Sequence, residues 1–406
     1  MNLSYFIAKR ISFKKTGGFT GTIHRIAVAS IALGLSIMII SFLILGGFQS
    51  VISNKVFSFT GHYQVNQFVL SQSLEDSPTS TNSEFYTNFR DRDYIEHVQV
   101  FANKPALIKG EEEVEGVMMK GVGRDFDSLA FKPSIVKGRF IQFGDNGSSS
   151  NEIVVSTKIA RKMLLDVGSK VTMYFVQDPP RFRRLEVVGL YETFLEDFDD
   201  KFILGDIRVI QVLNDWDEDK VGGFEVFLKD PQTIDLYEDE LYESIDYDLR
   251  LTKATDKFIQ IFDWLELLNN NVYVFLALIL FVASFNMVSI LFILIMERTS
   301  MIGLLKALGS TNLQIRNIFI WNGIRIIGRG MFLGNLIGLG FGLLQQSTHL
   351  FKLNAENYYM SYVPIVWDWP IILGLNVLIL VITTAVLFIP AVIISNVNPI
   401  KSIKFD

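Results

Sequence analysis

Four apolar runs, each long enough to cross a bilayer as a helix, constrain this chain more than any other feature. They are Ile26–Phe48, Val272–Met296, Gly330–Leu350 and about Ile371–Ser395. A hydrocarbon core takes roughly 20 residues of helix to cross. Half of the 406 residues are hydrophobic and only 20% are charged, so a membrane part joined to a folded extramembrane part fits the composition. Cysteine is absent, which removes disulfides, thiolate metal sites and lipid attachment through cysteine.

Charge divides the chain. Residues 49–266 hold 24 Lys and Arg against 39 Asp and Glu, a net of −15; the remainder holds 13 against 4, a net of +9. Lys9, Arg10, Lys14, Lys15 and Arg25 precede the first run, Arg298, Lys306, Arg316, Arg325 and Arg329 follow the second, and Lys401 and Lys404 follow the fourth. The positive-inside bias then assigns both termini and residues 297–329 to the cytoplasm, and the acidic region and the short loop 346–369 to the outside. The expected segments are a cytoplasmic interfacial helix over 1–25, spans over 26–48, 267–296, 311–350 and 371–395, an outer domain over 49–266, a short cytoplasmic helix over 297–310, an outer loop over 351–370 and a tail over 396–406. A cleaved signal peptide is disfavoured, because the charged leader and apolar core are long and "LILGGFQS" is a poor A-x-A site. "MNLSYFIAKRISF" suits a helix lying on the inner membrane face.

The outer region alternates β-rich and helical runs. "GHYQVNQFVL", "HVQVFANKPALIKG" and "VEGVMMKGVG" read as strands and "NSEFYTNFRDRDYIE" as a helix. "NEIVVSTKIARKMLLDVGSKVTMYFVQDPPRFRRLEVVGLYET" reads as a strand, a helix from about Ser156 to near Gly168, and two strands joined at a proline turn. "KFILGDIRVIQVLN" and "GGFEVFLKD" read as returning strands, and "QTIDLYEDELYESI" as a helix. The expected fold class is thus membrane α-helical with four spans, plus a large extracytoplasmic α+β domain of two subdomains, the inserted one over about 141–214. From about Lys253 the helical pattern runs without Pro or Gly into the second span, as a rod joining the outer domain to the membrane.

Between the second and third runs lies "MERTSMIGLLKALGSTNLQIRNIF". Met301, Leu304, Leu305 and Leu308 fall at i, i+3, i+4 and i+7, one apolar stripe of a short helix, with Arg298, Thr299 and Lys306 on other faces. Gly309 can end that helix, and Ser310 or Thr311 can cap the next. Two readings stay open: a connecting interfacial helix, or an amphipathic helix that docks in a partner's groove. Further on, Gly330, Gly334, Gly338 and Gly342 recur every four residues, a small-residue stripe that lets another helix approach closely. Arg316, Arg325 and Arg329 belong at or below the inner headgroup level, with Arg329 snorkelling.

Phe285–Phe319, "YVPIVWDWP", "NPIKSIKFD", the first span and "NEIVVSTKIARKMLLDVGSKV" together resemble the permease subunits of Lol-type lipoprotein-releasing ABC transporters, within the MacB and FtsX-like superfamily. The resemblance covers nearly the whole chain. It implies a dimer of identical or related permeases in the inner membrane, a separate cytoplasmic ATPase, an acylated lipoprotein cargo and a periplasmic lipoprotein carrier. By that match, Glu297, Arg298, Met301, Leu304, Leu305, Lys306, Leu308 and Gly309 form the ATPase-coupling segment. Met38, Ile39, Phe42, Phe281, Phe285 and Met287 are expected to form an acyl-chain wall between the first two spans. The chain departs from the carrier-recruiting branch, which has a long hook where "QDPPRFRR" is a short turn. Pro179, Pro180, Arg181 and Phe182 form either a rigid basic prong for an acidic partner or a plain surface turn.

Enzyme chemistry has little footing. No G-x-x-x-x-G-K-[ST] loop is present, the four histidines are scattered, and no H-E-x-x-H or G-x-S-x-G pattern occurs. The acidic runs lack a calcium-loop pattern, so neither metal nor cofactor is expected, nor is nucleic acid a partner. MacB-like efflux of peptides, lipids or antibiotics, and an FtsX-like mechanical relay to a periplasmic protein, are the alternatives to lipoprotein release.

Overall fold

The computed structural model describes residues 19–69, 75–110, 113–144 and 148–389. Of the interfacial helix expected over 1–25, residues 1–18 fall outside them and residues 19–25 belong to the first long helix; the tail expected over 396–406 and the end of the fourth apolar run also fall outside. The chain divides into two compact units, one of residues 1–50, 264–352 and 362–406, the other of residues 51–263 and 353–361.

Four helices among the described residues are long and apolar enough to span a membrane: Phe19–Thr60, Ile259–Glu297, Asn312–Thr348 and Trp369–Val386. The first runs past the expected end at Phe48, because nothing in "QSVISNKVFSFT" breaks it before Gly61, which turns the backbone at φ 68°. The second begins at Ile259 rather than near Lys253. Leu249–Lys253 is instead a strand paired with Tyr63–Gln67, and Phe258 (φ −111°, ψ 42°) separates one helical turn, Ala254–Lys257, from the long helix. Ladder hydrogen bonds outweigh the helical pattern there. Thr311 caps the third helix with a full capping box: its hydroxyl accepts from the Gln314 amide, and the Gln314 side chain accepts from the Thr311 amide at 3.0 Å.

Within the first unit, the four glycines of the third helix close on the first. A Cβ at Gly330 would meet Ile31 at 2.7 Å, one at Gly334 the Ala32 carbonyl and Leu35 at 2.9 Å, one at Gly338 Ile39 at 3.0 Å, and one at Gly342 Leu43 at 2.9 Å. Ile31, Leu35, Ile39 and Leu43 follow the same four-residue rhythm, so the stripe and the ridge interlock turn for turn, and the glycines' partner is this chain's own first helix. Two amide contacts tie the remaining pairs. Asn335 and Asn376 exchange hydrogen bonds of 2.7 and 3.0 Å between the third and fourth helices, and Asn286 donates to Ser30 at 2.8 Å between the second and first. Satisfied polar pairs of this kind orient helices where burial in lipid supplies no directional force.

Among the described residues the second unit is built on twelve strands: β1 Tyr63–Gln67, β2 Thr79–Ser80, β3 Ile95–Lys109, β4 Val114–Val122, β5 Ile135–Gly138, β6 Glu152–Ser156, β7 Lys170–Phe175, β8 Arg181–Tyr191, β9 Phe202–Asp206, β10 Lys220–Val221, β11 Gly223–Leu228 and β12 Leu249–Lys253. Ten form one sheet in the order β12-β1-β11-β3-β4-β9-β6-β8-β5, with β7 bridging β3 and β8; β2 and β10 pair separately. The hydrogen bonding therefore runs without interruption through the region expected to be an inserted subdomain over 141–214. The return to the earlier strands comes at β9, which pairs parallel to β4. Ile207–Leu213, expected as strand, is a helix: Asp206 accepts from the Arg208 amide as its N-cap, and Ile207, Ile210 and Leu213 bury one face at i, i+3, i+6. The expected helix over 82–96 is two short turns, Glu84–Thr87 and Phe89–Asp91, and the one from Ser156 stops at Lys162.

The seam makes a direct prediction. Gly334→Ala places a methyl against a backbone carbonyl that cannot move aside, and should cost about 1–3 kcal/mol, read as a fall in the thermal midpoint of the detergent-solubilised chain. Gly340→Ala, where nothing lies within 4 Å, should be neutral or stabilising by up to about 1 kcal/mol. Equal effects at the two positions would mean the helices do not meet along this stripe.

Candidate functional site: a short helix between two membrane helices

Thr299–Ala307 is a separate helix, set off from Ile259–Glu297 by Arg298 (φ −104°, ψ 16°). The Thr299 hydroxyl donates back to the carbonyls of Met296 and Ile295 and closes the last turn of the long helix. At the other end Gly309, at φ 89°, sends its amide to the Lys306 carbonyl, and Ser310 sends its amide to Leu305, both at 3.0 Å. This is a Schellman stop, and only glycine fits its left-handed position without strain.

The apolar stripe divides into two functions. Ile302 is fully buried and Met301 and Leu305 pack partly against the same core, with Ile315 and Phe319 of the next helix. Leu304 and Leu308, one turn apart, face outward at 57% and 75% exposure, beside exposed Ala307. Ile302, which the i, i+3, i+4, i+7 reading passed over, is the anchor, because the helix sits on its core at the edge of the stripe rather than its centre. Glu297 is exposed and makes an interaction of its own, as does half-buried Lys306.

The six residues expected to form an acyl-chain wall do not share one surface. Met38, Ile39 and Met287 are buried in the helix core, and Ile39 packs on Gly338. Phe42 is half-buried, with its ring edge-on to Tyr273 at 6.0 Å. Phe281 and Phe285 point outward, and with exposed Phe275, Leu278 and Val282 they form a stripe on one side of the second helix.

In the second unit the structure shows a cluster that the motif search missed. Gln64 on β1, Glu225 on β11 and Gln99 on β3 lie side by side in register. Both glutamine amides donate to the Glu225 carboxylate at 2.9 Å, and Lys120 of β4 completes it at 2.7 Å. Lys120 also donates to the carbonyl of Phe59, in the last turn of the first helix. A cation at that end complements the helix dipole. Burial pushes the Lys120 ammonium below its usual range, with Glu225 pulling the other way. The sequence signal was present: a lysine in "VMMKGV" and a glutamate in "GFEVFL", each isolated in an apolar strand, need each other. Lys55, on the same helix, donates to the carbonyls of Thr193 at 2.8 Å and Tyr359 at 2.6 Å. His62, just past the helix end, accepts the Leu228 amide at Nδ1 (3.0 Å), and burial lowers it to about 4.

At the short turn, Arg181 is not available as a basic prong. Both its terminal nitrogens bind the Asp215 carboxylate, at 2.8 and 3.1 Å, and one also reaches the Leu213 carbonyl. What the turn presents is Phe182, 62% exposed, beside the ring of Tyr174 at 6.1 Å. Pro179 and Pro180 are exposed. Among the described residues no cluster of three or more acidic or histidine side chains is placed to hold a metal ion.

Two families of known proteins match the chain in succession. The sequence profile of the MacB-like periplasmic core domain matches residues 26–243, and that of the FtsX-like permease C-terminal region matches residues 273–399. The lipoprotein-releasing system transmembrane protein LolC of Neisseria meningitidis is 24% identical over 370 residues, 86% of each chain. LolE of Haemophilus influenzae is 21% identical over 418 residues, 98% of each chain. Among solved structures, the extracellular domain of the noncanonic ABC-type transporter YknZ from Gram-positive bacteria aligns at 13% identity with a TM-score of 0.34, covering 47% of this chain and 98% of that one. The periplasmic region of MacB from Actinobacillus actinomycetemcomitans aligns at 12% with 0.36, covering 50% and 92%.

The buried imidazole gives the second unit a defined response to acid. The native state holds His62 neutral, so its stabilising contribution is complete above pH 6.5 and is lost as pH falls from 6.5 to about 4, by about 3 kcal/mol in total. Asp76, raised by burial to about 6, acts in the opposite sense: its contribution is complete below 3.8 and is lost as pH rises to 6. Between about pH 4 and 6 the two slopes oppose one another. His62→Asn removes one, so between pH 7 and 4.5 its thermal midpoint should rise relative to wild type. Parallel pH profiles would mean that His62 titrates normally.

Proposed function

We propose a function from one premise: the chain belongs to the FtsX-like permeases that carry a MacB-like periplasmic core domain. Within that family it works as the permease subunit of an ABC transporter of the Lol type. A separate cytoplasmic ATPase supplies ATP hydrolysis, and the transporter draws an acylated lipoprotein out of the outer leaflet of the inner membrane. The basic ends of the helices face the cytoplasm and the acidic region faces the periplasm, in accord with the charge asymmetry.

The observation that carries this reading is the divided short helix. One side is bolted to the membrane core by Ile302, while Leu304 and Leu308 are held out a turn apart, the pattern of a helix that inserts two apolar knobs into another protein's groove. Motion of the ATPase under that helix passes into the helix core at Ile302, Ile315 and Phe319, because packed side chains shift as bodies rather than compress. The cargo's acyl chains take the phenylalanine stripe of the second helix, Phe275 to Phe285, which offers apolar surface without a polar group to desolvate. The lipoprotein-releasing names of the relatives that match most of the chain support the cargo class.

The test separates docking from folding. Leu304→Asp and Leu308→Asp should leave the thermal midpoint within about 2 °C of wild type, since exposed substitutions typically change stability by no more than about 0.5 kcal/mol, yet abolish co-purification of the ATPase. Ile302→Asp should unfold the helix core. An ATPase that stays bound to both leucine variants contradicts the assignment.

A further inference from the structure

The first helix carries a glycine pair that the seam does not use. Gly46 and Gly47 lie in the interior of Phe19–Thr60, just before residue 51, where the second unit begins. Glycine is a poor helix former, so two in succession make a weak turn in an otherwise apolar helix. Packing accounts for one of them. A Cβ at Gly47 would run into the carbonyl group of Pro364, whose carbon lies 2.6 Å away, whereas one at Gly46 would meet only the Val366 side chain, at 3.9 Å, an ordinary contact. Gly46 therefore has no steric reason to lack a side chain.

Residues 363–367, which lead into the fourth helix, cross this turn as a strap. Val366 donates its amide to the Leu43 carbonyl at 3.2 Å. In an unbroken helix that carbonyl also accepts the Gly47 amide, and its two lone pairs serve both donors, so the strap braces the glycine turn from outside. The strap is itself tied to the last turn of the third helix. Gln345, fully buried, donates to the carbonyls of Phe351 and Val363 at 3.1 and 3.0 Å and accepts the Phe351 amide at 2.9 Å. Trp367 donates to Gln346 at 2.7 Å, and its ring lies with Leu43 against Gly342, the last contact of the seam. All of these residues belong to the first unit.

We propose that residues 43–47 form a latched hinge. The strap holds the first helix straight while Val366 and Pro364 sit on it, and the helix bends at the glycine pair when the strap withdraws. Helix kinks arise at pairs of this kind. Because Gln345 and Trp367 carry the strap, movement of the end of the third helix sets the latch. The device does not depend on what the chain transports.

The absence of cysteine makes the latch directly lockable. Gly46→Cys/Val366→Cys places two Cβ atoms 3.9 Å apart, within the roughly 3.5–4.5 Å that a disulfide spans. A bend breaks hydrogen bonds of the turn, so hydrogen–deuterium exchange of the full-length chain in lipid nanodiscs reads it. Oxidising the pair should slow the amides of residues 45–50 at least about tenfold relative to the reduced pair, with residues 52–58 unchanged. Trp367→Ala, which frees the strap, should speed the same amides at least about fivefold over wild type, and adding Gly46→Ala should cancel most of that gain. Should Trp367→Ala unfold the helix core, the comparison of oxidised with reduced pair decides alone. A pair that does not crosslink under oxidation contradicts the strap's place on the helix. Equal exchange in the locked and reduced pair overturns the hinge, and so does acceleration that spreads through residues 52–58, which would mean fraying from the helix end.

Discussion

Everything in the membrane part of this protein hangs on the approach of the third helix to the first. Four glycines bring the backbones close enough that Ile31, Leu35, Ile39 and Leu43 rest on bare helix, and dispersion contacts at that distance replace the hydrophobic drive that lipid cannot provide. With that pair fixed, the Asn335–Asn376 exchange brings the fourth helix to the third, and Asn286 with Ser30 aligns the second with the first. The short helix then has a core to stand on. Ile302 is buried only because Ile315 and Phe319 are already held by the same packing.

The second unit solves a different problem, that of ending a long apolar helix in a folded sheet. The last turns of Phe19–Thr60 carry Lys55, Phe57 and Phe59, and the carbonyl of Phe59 receives the ammonium of Lys120. Lys120 could not be buried without Glu225, nor Glu225 without the two glutamines that fill its remaining lone pairs. Removing Lys120 or Glu225 strands a buried charge, and removing either glutamine leaves a carboxylate oxygen short of a donor, which makes the cluster a device for specifying one arrangement of helix end and strands.

Much of this was legible in the sequence, for physical reasons that also mark where reading stops. The apolar runs, the glycine rhythm, the Thr311 cap and the Gly309 stop are local signals, and local signals survive into the fold. The start of the second helix was misplaced because the pairing of Lys253 with Tyr63 lies about 190 residues away in sequence and leaves no local trace. Ile207–Leu213 was misread as strand for a related reason: β-branched residues suit either structure, and the Asp206 cap decided it. Of the candidate site residues, the short helix was placed correctly as an element while its orientation was not, since a stripe gives a face but not the line of contact. The six-residue acyl wall joined inward and outward positions because all six are apolar, and apolarity in a span does not say which way a side chain points. Arg181 read as a free charge because Asp215 belongs to a different turn.

The central claim is that this chain is the membrane half of an ATP-driven machine that handles acylated proteins. Purifying the full-length chain from its native membrane in mild detergent and identifying its companions by mass spectrometry tests that claim most directly. The account predicts a small cytoplasmic ABC ATPase together with triacylated lipoproteins. Recovery of the chain with no ATPase would contradict it, and an ATPase accompanied by a cell-wall hydrolase in place of lipoproteins would contradict the cargo.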